Sequence, residues 1–136
     1  MFPLPSVWFL RAAFVYLFVG TTLGGVLMSQ KLLLWNEKIW ILLPLHYSIL
    51  IWGFLIQFIM GTAYWMFPKH LSEYPRGSTS QVWFLFFSYN LGFVCVLLSM
   101  ILGNVLYLNT FGKLLMTMAV MLFIKLIWVR SISYNP

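Results

Sequence analysis

His46 stands in an apolar run, Leu43-Pro44-Leu45-His46-Tyr47-Ser48-Ile49-Leu50-Ile51-Trp52-Gly53-Phe54, within a segment that carries no Lys, Arg, Asp or Glu from residue 39 to residue 67. An ionisable side chain is costly in such surroundings and is read first as a functional group. A neutral imidazole binds transition metals and haem iron. It also donates a hydrogen bond between helices, and the residues alone leave both readings of His46 open. The second histidine, His70, follows Pro68 in the polar stretch Lys69-His70-Leu71-Ser72-Glu73-Tyr74-Pro75-Arg76-Gly77 and reads as a solvated loop residue. The two histidines fall at opposite ends of one predicted helix, roughly 36 Å apart, so they cannot hold one iron within a protomer. Glu37 and Glu73, the 2 acidic residues, lie in predicted loops, which excludes paired-carboxylate chemistry and a membrane di-iron site. The single cysteine, Cys95, permits neither an intrachain disulfide nor a Cys-based zinc site. His-Glu-x-x-His, Ser-His-Asp and Gly-rich phosphate-loop patterns are absent.

The elements that must position His46 are membrane helices. The chain is 62% hydrophobic and 20% aromatic but only 7% charged, far from the roughly 25% of a soluble domain. Its 136 residues make one all-α domain, 1–136, an integral membrane four-helix bundle with no room for a soluble domain. Expected spans cover about residues 8–28, 41–67, 82–104 and 110–129, each near the ~20 residues that cross a bilayer. A site in so small a bundle is expected to be completed by partner chains. The net charge of +6 comes from single cations at span ends, which argues for the positive-inside bias and against nucleic acid. Arg11, Lys69, Arg76, Lys125 and Arg130 fall on one side and Lys31, Lys38 and Lys113 on the other, so both termini are expected in the cytoplasm. No cleavage signature follows the first apolar segment, which is expected to remain as a helix. Trp8, Trp35, Trp40, Trp65, Trp83 and Trp128 fall near the proposed interfaces. Gly20 and Gly24, with Gly25, form a small-residue strip suited to close helix approach. Lys113 and Lys125 interrupt the fourth span near its ends and can snorkel. Asn90, Ser99 and Asn104 are expected to bond between helices.

On an α-helix at 100° per residue, His46, Gly53, Gln57 and Tyr64 fall within about 40° of one line, flanked by Met60 and Gly61. Ile49, Ile51, Phe58 and Ile59 mostly occupy the other faces. A glycine two turns from a histidine suggests a shallow recess for a flat macrocycle. This face is expected to meet another chain or such a macrocycle rather than lipid, because hydrocarbon would leave the Gln57 amide unpaired.

The run from Leu43 to Phe54, continued by Gln57-Phe58-Ile59-Met60-Gly61-Thr62-Ala63-Tyr64-Trp65-Met66-Phe67-Pro68-Lys69, resembles the second helix of small four-span proteins similar to subunit I of haem-copper oxidases, the cbb3 type above all. Phe9-Leu10-Arg11-Ala12-Ala13-Phe14-Val15-Tyr16-Leu17 with Gly20 and Gly24, and Tyr89-Asn90-Leu91-Gly92, add to the resemblance over roughly the first 100 residues. It implies one four-helix arc of a ring of three, and hence a homotrimer or a place in a heteromeric membrane complex. It further implies haem b ligated by His46, with Gly53 and Gln57 beside the cofactor and Lys38, Lys113 or Lys31 near the propionates. The expected role is electron transfer or a respiratory subunit in a bacterial inner membrane. Many relatives carry His-x-His where this chain has His46-Tyr47-Ser48, and a copper centre needs about three more imidazoles. A complete oxygen-reducing enzyme is therefore not expected of this chain alone. The alternative is a haem-free structural subunit of a larger redox or photosynthetic complex.

Overall fold

The computed structural model describes residues 3–34, 36–67 and 78–132. Four helices fill them: α1 (Leu4–Leu33), α2 (Glu37–Met66), α3 (Thr79–Ile101) and α4 (Leu106–Ile132), and each is long and apolar enough to cross a membrane. Even the shortest, at 23 residues, spans about 35 Å against a hydrocarbon core of ~30 Å. His70, Lys69, Arg76, Glu73 and Trp35 lie outside the described residues.

All four helices begin before the expected spans, and α1 and α4 also end after them, because helical hydrogen bonding continues through the polar interface, where composition no longer marks it. α3 instead stops at Ile101, short of the expected 104. α1 extends past Ser29, Gln30 and Lys31 and ends at Leu34, whose left-handed φ of 49° closes the helix with its N–H on the Gln30 carbonyl. The Gln30 side chain then accepts the Asn36 N–H at 2.7 Å, and Asn36 Oδ1 accepts the Lys38 N–H at 3.0 Å. These bonds leave a short turn where a longer loop was expected. Asn104 is a correction in the opposite direction, since it was expected inside the third span. It lies in the α3–α4 turn with φ 62° after Gly103 at 87°, and its N–H bonds the Ser99 carbonyl at 2.7 Å. Ser99 Oγ donates to the Val105 carbonyl, so these two residues build the turn rather than join helices.

α2 is not uniform. It opens as a 3-10 turn over Glu37–Leu42, becomes α-helical over Leu43–Ser48, widens to a π-helix over Ile49–Ile56 and returns to α over Gln57–Met66. Pro44 stands in the first turn of the α-helical piece, where its missing N–H costs least. The wide turns space the buried stripe by fours, Ile49, Gly53 and Gln57, before Met60, Gly61 and Tyr64 resume the α period. Ile49 therefore faces the core, contrary to the uniform α-helix expectation.

α1 and α2 form one antiparallel pair and α3 and α4 the other. Gly20 seats Leu50 and Ile49, Gly24 seats His46, and Gly61 seats Phe9, so α1 and α2 touch closely at both ends. α3 supplies much of the core through Val82, Leu85, Phe86, Tyr89, Phe93 and Val96. Edge-to-face pairs of Phe9 with Phe86 (5.0 Å) and Tyr16 with Phe93 (5.1 Å) join α1 to α3. α3 and α4 cross at Gly92 and Gly112. A Cβ on Gly92 would lie 2.7 Å from the Gly112 carbonyl oxygen, and the converse contact is 2.5 Å.

Gly92→Ala should cost about 1–3 kcal/mol, since a backbone carbonyl cannot rotate away from the added methyl. Gly25→Ala, which meets nothing within 4 Å, should be near neutral. Thermal unfolding in detergent, followed by circular dichroism, compares them; equal losses would contradict the crossing.

Candidate functional site

His46 is half-buried at the α1–α2 contact, with Nδ1 2.8 Å from the Gly20 carbonyl oxygen. A carbonyl only accepts, so the proton belongs on Nδ1 and the Nε2 lone pair is left for another partner. This tautomer is assigned from the acceptor's chemistry. Gly24 permits the approach: a Cβ there would lie 2.8 Å from His46 Cε1. On the other side, the Tyr47 ring lies 5.5 Å away, centroid to centroid.

The rest of the expected macrocycle face is occupied by this chain's own side chains. A Cβ on Gly53 would meet Tyr16 Cγ and Phe93 Cε1, each at 2.8 Å, so two rings fill the recess read beside the glycine. Gln57 is fully buried, and its Nε2 donates to Asn90 Oδ1 at 2.9 Å. The Tyr16 hydroxyl donates to the same oxygen at 3.2 Å, and Asn90 Nδ2 donates to the Phe86 carbonyl at 2.9 Å. Gln57 thus avoids lipid as expected, but through α1 and α3 of its own chain rather than a second chain or a macrocycle. Beside this cluster the Tyr89 hydroxyl donates at 2.7 Å to the Trp52 carbonyl, inside the π-helical stretch.

Lys38 is exposed on the 3-10 turn that opens α2, and Lys31 is exposed near the end of α1. Lys113 is exposed beside a cleft of about 260 Å³ walled by Trp52, Phe93, Val96, Met116 and Thr117. That cleft lies towards α3 and α4, whereas His46 leans on α1. The structure therefore separates Lys113's surroundings from those of His46, although both lie towards the same end of the bundle. Among the described residues no group of three or more His, Cys, Asp or Glu could hold a metal ion.

Arg130 is the functional-looking residue that sequence reasoning missed. Counted only as an end-of-span charge, it is 1% exposed and lies 5.3 Å over the Tyr64 ring. Its guanidinium donates to the carbonyls of Tyr64 at 3.1 Å and Phe67, where α2 runs out of internal donors. No local pattern links positions so far apart. Comparison with protein-family models, curated proteins and solved structures finds no match.

Asn90→Leu should destabilise the bundle by roughly 0.6–1.7 kcal/mol, because it strands the Gln57 amide and the Tyr16 hydroxyl. Adding Gln57→Leu should cost less than the two single changes summed. A double-mutant cycle of unfolding in detergent measures the coupling, and strict additivity would contradict the network.

Proposed function

We propose that this chain is a b-type-cytochrome-like subunit of a membrane assembly, in which the His46 imidazole would be a ligand to haem. The hydrogen bond from His46 Nδ1 to the Gly20 carbonyl carries this reading. Such a bond selects the tautomer, orients the ring and raises the basicity of the remaining nitrogen, as partners of metal-bound histidines do. The donor chemistry of His46 fits one side of an iron. Gly53 packs against Tyr16 and Phe93 and Gln57 bonds Asn90, so the reading rests on His46 and not on these two residues. A further ligand would have to come from a second chain's His46 or from another subunit, which is why the reading includes a homotrimer or a heteromeric complex. Lys31 and Lys38, exposed at the same end, suit propionate carboxylates, and Lys113 is a further cation at that end. When bound, haem supplies one-electron redox chemistry; the chain's own part is to ligate, orient and keep water away. The cation distribution in the sequence favours both termini on the cytoplasmic side; a bacterial inner membrane belongs to the reading through the family resemblance alone.

A second reading, a haem-free structural subunit, is favoured by the closure of Gln57, Asn90 and Tyr16 on one another and by the filled space at Gly53.

The deciding experiment is a reduced-minus-oxidised spectrum of the protein isolated with its native partners from haem-replete cells. The proposal expects a b-type band that His46→Ala abolishes, His70→Ala preserves and Gly24→Ala weakens by displacing the imidazole. A complex without such a band overturns the haem reading and leaves the structural one.

A further inference from the structure

A second feature lies far from His46, between α3 and α4 at the end of the bundle that holds Trp8, Trp83 and Arg130. There a cleft of about 510 Å³ is lined by Ser80, Gln81, Phe84, Leu85, Leu122, Lys125, Leu126 and Val129. Leu85 is buried at 2% exposure, while Phe84 and Val129 stand half-exposed at 55% and 50%. The cleft is thus an apolar trough with polar groups contributed by the first turn of α3 and by Lys125. Lys125 lies about 10 Å inside the end of α4, at the depth where a lysine snorkels to the interface. Among the described residues Lys125 has no acidic partner, since their one carboxylate, Glu37, sits at the opposite end of the bundle.

From this juxtaposition we infer that the α3–α4 cleft is a binding site for an anionic phospholipid. The phosphate would meet Lys125, Ser80 and Gln81, and an acyl chain would lie along Phe84, Leu122, Leu126 and Val129. Charge complementarity selects the headgroup, because a cation beside hydroxyl and amide donors suits a phosphate with a net negative charge. The apolar wall selects a lipid over free phosphate, which has nothing to place there. A basic recess between membrane helices is a general setting for such headgroups. The inference is independent of haem binding, since no residue of the cleft touches His46.

Native mass spectrometry of the full chain, released from detergent in an equimolar mixture of phosphatidylglycerol and phosphatidylcholine, tests it. The wild-type protein should retain phosphatidylglycerol about 5-fold over phosphatidylcholine, the worth of one cation near an anionic headgroup. Lys125→Gln should remove that preference. Arg11→Gln, which deletes a cation stacked on Trp8 at the same end, should keep it. Leu122→Trp, which fills the trough, should lower retention of both lipids while circular dichroism shows unchanged helix content. The site is overturned if Lys125→Gln keeps the preference or if Arg11→Gln loses it equally. It is also overturned if Leu122→Trp changes the oligomeric mass and not the lipid count, which would make the cleft a contact between copies.

Discussion

The constraint on which the structure depends is that a polar group in hydrocarbon must find its partner within the protein. The chain meets it locally wherever it can. Thr21, Thr22 and Thr62 return their hydroxyls to carbonyls one turn earlier in their own helices. Groups without a local solution define the tertiary contacts. Gln57 and Asn90 join α2 to α3, Tyr16 ties α1 to the same amide, and Arg130 brings α4 to the exposed carbonyls of α2. Ser6 Oγ, Gln30 Nε2 and Asn109 Oδ1 are buried without a partner among the described residues, and all three belong to the terminal turns of α1 and α4 rather than to the middle of the bundle.

Glycine makes these bonds geometrically possible. Hydrogen-bond reach between helices requires close axes, and Gly20, Gly24, Gly53, Gly61, Gly92 and Gly112 all stand where a methyl group would collide. At Gly53 the closeness coincides with the π-helical stretch of α2. The widened turns realign the buried stripe, and Tyr89 supplies the Trp52 carbonyl with a side-chain donor. Packing and polar satisfaction are therefore one arrangement here: separating the helices to admit larger residues would also break the bonds.

Much of this was legible in the residues. Span number followed from composition, the burial of Gln57 from the cost of an unpaired amide, and the close approach at Gly20 and Gly24 from their spacing. Asn90 was correctly read as a link between helices. The rest failed for identifiable reasons. A uniform 100° helical wheel cannot represent a π-helical stretch, so it placed Ile49 outside the core. It also made Gly53 an open recess, because sequence spacing does not reveal that Tyr16 and Phe93 arrive from other helices. Gly112 and Arg130 were invisible as contacts since their partners are distant in sequence. The first helix was ended too early because a hydropathy window measures hydrocarbon thickness, whereas its hydrogen bonding runs on to Leu34; the third was ended too late because composition does not show the left-handed turn at Gly103–Asn104.

The resulting picture is a bundle whose midplane polar groups are spent on holding it together, with His46 the exception that keeps a nitrogen in reserve. Its distinctive chemistry rests on one proton position. Solid-state ¹⁵N NMR of histidine-labelled protein in bilayers, in a His70→Gln background that isolates His46, measures that position directly. In the absence of haem the account predicts a neutral ring protonated on Nδ1, with through-space contact to the Gly20 carbonyl carbon and an unprotonated Nε2. A ring protonated on Nε2, with no coupling to Gly20, would contradict both the anchoring bond and the ligand role proposed from it.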